Sequence, residues 1–312
     1  MIATCLLLIG CAVFGGVMMR LKWDFTKLST VKFETNRYEI DEAFQSVSID
    51  SDTADVIFVP SEGTETVVEC HEQSKIKHVV EVKDGVLTIK LVDTRKWYEH
   101  IGISFGSPKI TVTLPQGEYD TLSVKNDTGD IKVPNGYRFE SMTLSASTGD
   151  VKASASADTV KIKTSTGRID VEGIAAGSME LSVTTGRVHV VKVDCTGDVS
   201  VRVSTGKTFL TDLSCQSLHT EGDTGDLFMQ NVVSTMAFSI KRSTGDVVFN
   251  GCDAAEIHVK TSTGNVRGSL RSDKVFLTST NTGSVHVPSS VSGGRCEIHT
   301  STGDIKIEIP QK

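Results

Sequence analysis

The dipeptide Thr-Gly recurs with its glycine at positions 129, 149, 167, 186, 206, 225, 245, 264, 283 and 303, in steps of 18 to 20 residues. No other feature constrains the fold as strongly, because self-similarity at a fixed short period marks a stacked or repeated architecture. Thr196-Gly197 falls out of register and fits the opposite corner of a turn.

Each unit reads strand, turn, strand. In one unit Val160-Lys161-Ile162-Lys163-Thr164 leads to Ser165-Thr166-Gly167, and Arg168-Ile169-Asp170-Val171 follows. Apolar and polar residues alternate on both sides, the period of a half-buried strand. Aligning the units on their glycines gives apolar columns. Two residues after the glycine stand Ile131, Val151, Ile169, Val188, Leu227, Val247, Val266, Val285 and Ile305, with Thr208 among them. Four after stand Val133, Val171, Val190, Leu210, Met229, Phe249, Val287 and Ile307, with Ala153 and Gly268. Five before stand Val124, Leu144, Ile162, Leu181, Val201, Ile240, Val259 and Ile298, broken by Thr220 and Thr278. These columns predict the inward face.

A hairpin meander would need turn chemistry that alternates from strand to strand. One constant turn suits a coil, each turn stacked on the last at about 4.8 Å, which makes a rod roughly 45 to 50 Å long. The expectation is an all-β, parallel β-solenoid of about ten turns of 19–20 residues, right-handed by the general crossover preference. Sparse aromatics, 6% of the chain, and abundant Val, Ser, Thr and Gly agree with many short strands.

Ahead of the repeat, Ser46 to Val59 reads as a first coil with Asp52-Thr53-Ala54-Asp55 at its corner and Ala in place of Gly. Thr66 to Cys70 reads as a strand. Val80 to Val82 and Val86 to Leu91 flank Lys83-Asp84-Gly85, a hairpin signal, and Lys109 to Leu114 alternates again. A small antiparallel sheet capping the N-terminal end of the coil is expected. The organisation is therefore 1–23 membrane anchor, 24–45 linker and first strand, 46–128 first coil and cap, and 129–312 repeat solenoid.

Ile2 to Met19 carry no charge, and Arg20, Lys22 and Trp23 follow, a basic and aromatic group suited to a headgroup boundary. The run predicts a single-pass transmembrane helix. No Lys or Arg precedes it, so an upstream start carrying Lys residues is expected to set its orientation. Leu8-Ile9-Gly10-Cys11 has the form of a lipoprotein cleavage site, but Ala12-Val13-Phe14 stays apolar after the cysteine, which favours an uncleaved helix over a lipid anchor. Either anchor leaves the remainder outside the cytoplasm and tethered to the cell membrane.

The run Val-Ser-Ile-Asp-Ser-Asp-Thr-Ala-Asp at 47–55, then Ser-Pro-Lys-Ile-Thr-Val-Thr-Leu-Pro at 107–115, then tandem Ser-Thr-Gly-Asp-Val units behind a membrane helix resembles the bacterial putative-adhesin family, a domain family of unknown function with β-strand repeats seen in Gram-positive cell-envelope proteins. The resemblance covers about residues 30 to 310. It implies a surface β-helix and supplies no catalytic residues.

Candidate chemistry is thin. A net charge of -7 argues against nucleic acid as the partner. The seven Cys show no zinc spacing. The residue after each corner glycine forms a column of Asp130, Asp150, Arg168, Arg187, Lys207, Asp226, Asp246, Asn265, Ser284 and Asp304. Stacked aspartates supply too few oxygens for calcium, so capping of backbone N–H groups is the simpler reading, and no metal or other cofactor is expected. Arg168, Arg187 and Lys207 offer an anionic-polymer site, against the alternative of a charged face that limits edge association. Arg95, Trp97, Tyr98 and His100, in the cap, have the composition of a contact hot spot, against the alternative that Trp97 packs the cap. Cys195 and Cys215 fall in adjacent turns, where two small buried hydrophobes are expected rather than a disulfide.

The function expected is a non-enzymatic, membrane-tethered binding or scaffold module of the bacterial envelope, whose partner is a cell-wall polymer, glycan or envelope protein. A glycan-active β-helix enzyme is the alternative. It would need carboxylates converging in a groove, whereas the acids here are scattered at corners. A ligand-sensing ectodomain would need a separate signalling partner.

Overall fold

The computed structural model describes residues 2–24, 31–96 and 106–310. Among the described residues one helix, α1 (Ile2–Arg20), precedes 22 strands joined in a single sheet. It is long and apolar enough to cross a membrane, and nearly all of it is exposed.

The N-terminal strands are β1 (Phe33–Ile40), β2 (Ser46–Thr53), β3 (Asp55–Ser61), β4 (Thr66–Gln73), β5 (Ile76–Lys83), β6 (Val86–Asp93) and β7 (Lys109–Pro115). The repeat begins with β8 (Gly117–Thr128), β9 (Ile131–Val133), β10 (Tyr137–Thr148), β11 (Val151–Ala153) and β12 (Ser156–Glu172). It continues through β13 (Ala175–Cys195), β14 (Val199–Thr224), β15 (Leu227–Gln230), β16 (Val233–Thr244) and β17 (Val247–Thr263). It closes with β18 (Val266–Leu270), β19 (Lys274–Thr282), β20 (Val285–His286), β21 (Gly294–Thr302) and β22 (Ile305–Glu308).

The repeat strands pair in parallel, with corner on corner: Gly167 aligns with Gly186 and Gly186 with Gly206. The chain is the all-β solenoid that the repeat predicts. Ile169, Val188 and Val247 are fully buried. Burial of each such side chain contributes about 1.5–3 kcal/mol, and the stacked columns form one continuous core.

The corner needs glycine for two reasons. At Gly186 and Gly206 φ is 148° and 141°, which L side chains avoid. A Cβ on either would also overlap the carbonyl oxygen of the glycine one coil earlier. Thr196-Gly197 does belong to the opposite corner, where Gly197 lies over the Gly177 carbonyl. Cys195 and Cys215 are buried free thiols, as expected of small core residues.

In the cap, β4 pairs antiparallel with β1 and β7, and β5 with β6. Asp84 and Gly85 form the two-residue turn between β5 and β6, both with positive φ (52° and 76°), as Asp-Gly hairpins require.

Stacking does not follow chain order at the ends, which corrects the expectation that each turn stacks on the last. The first coil, β2 and β3, lies between β6–β7 and β8–β9. Likewise β21 inserts between β17 and β19, and β22 between β18 and β20. Corners 264, 303 and 283 therefore follow one another in space. All carry Ser/Asn-Thr-Gly, so their register fixes alignment without fixing order. Because the coil of Gly283 is outermost, Val285 is 41% exposed and Leu277 49%, although the first belongs to an apolar column.

Candidate functional site

Two kinds of side chain meet along the edge of the coil: the corner column just after each glycine, and the outward column two residues further on.

The corner aspartates accept hydrogen bonds from the next coil's backbone. Asp150 N–H donates to Asp130 Oδ1 (2.8 Å), Arg168 N–H to Asp150 Oδ1 (2.8 Å), and Asp246 N–H to Asp226 Oδ1 (3.1 Å). Asn265 N–H donates to Asp246 Oδ1 (2.8 Å), and Ser284 N–H to Asp304 Oδ1 (2.7 Å). Burial opposes ionisation of Asp226. The Asp246 N–H, Lys207 and Arg242 outweigh it and leave the pKa below the ordinary value. Hydrogen bonds from the Ser284 N–H and hydroxyl lower that of Asp304. One oxygen of each carboxylate is thus committed to backbone, the capping role the column suggests.

Arg168, Arg187 and Lys207 fall in register in adjacent coils. They differ in how far neighbouring acids neutralise them. Arg168 lies 3.4 Å from Asp150 and 3.7 Å from Asp170, and Lys207 lies 3.2 Å from Asp226. Arg187 instead lies over the Phe209 ring, 5.7 Å from its centroid, and Lys207 sits over Phe228 at 5.6 Å, both within cation–π range.

These rings are the part that sequence reasoning missed. Phe209 and Phe228 are half-buried on the outward face and stack with centroids 5.0 Å apart and planes 9° apart. In-register parallel pairing sets that spacing. His189 meets the edge of Phe209. The signal was present as His189, Phe209, Phe228 and Val248 three residues after successive glycines, a run of apolar or aromatic residues in an otherwise charged outward column. The arrangement presents flat apolar rings bordered by two cations. Sugar rings pack on aromatic faces, and guanidinium and ammonium groups hold phosphate or carboxylate.

Of the cap-loop residues, Arg95 is described. Its Nε and Nη2 donate to both oxygens of Asp93 at 2.9 and 2.6 Å, which raises its pKa. Trp97, Tyr98 and His100 lie outside the described residues.

A third column, three residues before each glycine, faces inward and is polar at several levels. Thr164 and Thr300 donate to the corner carbonyls of Gly149 and Gly264, both at 3.1 Å, and Asn126 donates to Ala54 O at 2.8 Å. At one level the column holds Arg242, 2% exposed. Its Nη2 donates to Thr208 Oγ1 at 3.3 Å, while its Nε and Nη1 have no partner among the described residues. Burial pulls its pKa down to about 10, against the opposing pull of Asp226.

A parallel coil with a ladder of corner aspartates, an antiparallel cap and an apolar helix before it defines a repeat-built β-solenoid. The sequence matches the Toastrack DUF4097 family over residues 44–206 and 195–312, and the chain belongs to that family. Among solved structures it is similar to a putative adhesin from Parabacteroides distasonis, at 13% identity, covering 89% of this chain and 98% of that one with a TM-score of 0.51. It is also similar to a putative lipid binding protein from the same species, at 15% identity, covering 75% and 96% with a TM-score of 0.50. At these identities the likeness is one of fold. None of the curated proteins compared matches the chain.

Proposed function

We propose that this protein is a membrane-tethered, extracytoplasmic binding or scaffold module of the cell envelope, with no chemistry of its own. The observation that carries the reading is the Phe209–Phe228 stack bordered by Arg187 and Lys207. Such a surface suits an anionic glycan or wall polymer, with sugar rings on the phenylalanines and phosphate or carboxylate on the cations. Arg168 extends the cationic row at one end. The composition of the segment holding Arg95, Trp97, Tyr98 and His100 makes it a second candidate for contact. Relatives named putative adhesin and putative lipid binding protein fit an envelope role. Because both come from a Bacteroidetes species, a Gram-positive envelope does not follow from family membership and stays part of the proposal.

The apolar helix Ile2–Arg20 acts as the tether, and the solenoid works outside the membrane. Intact cells treated with protease should lose the solenoid, and the stub should extract only with detergent. The solenoid, presented to envelope fractions and to a glycan array, should be retained by anionic polymers. Retention insensitive to salt and to polymer charge would contradict the reading.

A further inference from the structure

The cap brings together Cys70, Glu72 and His78, three residues that the sequence spacing does not mark. Cys70 and Glu72 sit two apart on β4 and so face the same side, while His78 comes from β5 beyond a two-residue turn. All three are buried, and one ligand-type atom from each lies within 4.8 Å of the other two. We propose that Cys70, Glu72 and His78 bind a single divalent transition-metal ion of the zinc type in the cap.

The donor set is a thiol, an imidazole and a carboxylate, the ligands zinc takes. A tetrahedral ion with bonds of about 2.0–2.3 Å needs ligand atoms roughly 3.3–3.8 Å apart, which small side-chain rotations reach from the observed spacing. Charge also balances. The Cys70 thiol gives its proton to solvent on binding, and the thiolate with the Glu72 carboxylate cancels the two positive charges of the ion. A buried site of zero net charge avoids the penalty of an uncompensated ion.

The outer groups are already placed. Ser51 Oγ hydrogen-bonds His78 Nε2 at 3.2 Å, which turns Nδ1 toward Glu72 Oε2 at 2.7 Å. Asn36 Nδ2 donates to the other carboxylate oxygen, Oε1, at 2.7 Å. A partner on the second histidine nitrogen and one on the second carboxylate oxygen are the supports that orient metal ligands. The ion replaces the Nδ1–carboxylate hydrogen bond, and the neutral imidazole then carries its proton on Nε2, which donates to Ser51 Oγ. A narrow cleft lined in part by Ser51, Glu72, Gln73, Ile76, His78 and Pro108 reaches two of the three, Glu72 and His78, and has room for a water as a fourth ligand.

The same contacts trace Ser51–His78–Glu72, the connectivity of an acyl-transfer relay. Ser51 is only 2% exposed and the cleft beside it is too narrow for an acyl group, so the geometry favours a bare ion over a substrate.

The test uses the full chain in detergent, reduced, stripped with chelator and titrated anaerobically with Co²⁺. The expected result is saturation at about one ion per chain, with a near-ultraviolet thiolate-to-cobalt charge-transfer band that Zn²⁺ abolishes. Cys70→Ser should remove the band, while Cys252→Ser, which changes a buried thiol of the coil, should keep it. Should Cys70→Ser fail to fold, alkylation of the wild-type chain mapped by mass spectrometry gives the same answer: Zn²⁺ should slow modification of Cys70 and leave that of Cys215 unchanged. No saturable band, a band that survives Cys70→Ser, or equal alkylation with and without Zn²⁺ would overturn the proposal.

Discussion

The guanidinium of Arg242 lies over Gly222 of the preceding coil, so that a methyl group at 222 would overlap Arg242 Nη1. The two positions are coupled: the missing side chain at one makes room for the long side chain at the other. Replacing a buried charge by an apolar residue of similar length is often neutral or stabilising by about 1–4 kcal/mol. Arg242→Met should therefore leave chemical-denaturation stability unchanged or raise it. Gly222→Ala alone should destabilise, and less so in the Arg242→Met background. A double-mutant cycle with coupling below about 0.5 kcal/mol would contradict the contact.

At the corner, Gly186→Ala should cost several kcal/mol, because it combines a positive φ with overlap onto the Gly167 carbonyl. Gly173, at φ 69° with nothing within 4 Å of its would-be Cβ, is the control. Gly173→Ala should cost only about 1 kcal/mol. Equal losses by thermal unfolding would show that the close approach between coils does not matter.

Asp226 and Asp304 have depressed pKa values in the folded state. Their contribution to stability is full above the unfolded carboxylate value, about pH 4, and is lost as pH falls through the lower folded values. Urea midpoints measured from pH 6 to pH 2 should fall at the acid end. Asp226→Asn should flatten that fall, because the amide keeps an acceptor oxygen and does not titrate. An unchanged slope would remove Asp226 from the account.

The exchanged order of the last coils sets amide protection. With β21 paired on both sides and β19 on one, Gly294–Thr302 should exchange hydrogen more slowly than Lys274–Thr282, although it is closer to the C-terminus. Stacking in chain order would give the reverse.

Much of this fold was legible because the period carries it. Thr-Gly spacing gave the coil, alternation around Ile169 and Val188 gave the inward face, and Asp84-Gly85 gave the hairpin. The order of the end coils was not legible, since corners 264, 283 and 303 are chemically alike and any of them can stack on another. The row of Arg168, Arg187 and Lys207 was visible as a column. The phenylalanines that change its meaning were hidden, because an outward Phe in a strand reads like any other strand former until its neighbour in the next coil is known. Cys70, Glu72 and His78 were invisible as a group, because a hairpin rather than a spacing motif brings them together. Nothing in the sequence marks Arg242 as buried, since most arginines are exposed.

On the proposed function, the Phe209–Phe228 surface with its two cations holds envelope material. The most direct measurement compares retention of wild-type protein on anionic wall polymer with that of Phe209→Ser/Phe228→Ser, Arg187→Ala/Lys207→Ala and Trp97→Ala, each checked for an unchanged thermal midpoint. The phenylalanine pair and the cation pair should each weaken retention at least tenfold. Trp97→Ala should weaken it less. Retention that survives both pairs and is lost only in Trp97→Ala would contradict the claim and move the binding surface to the cap loop.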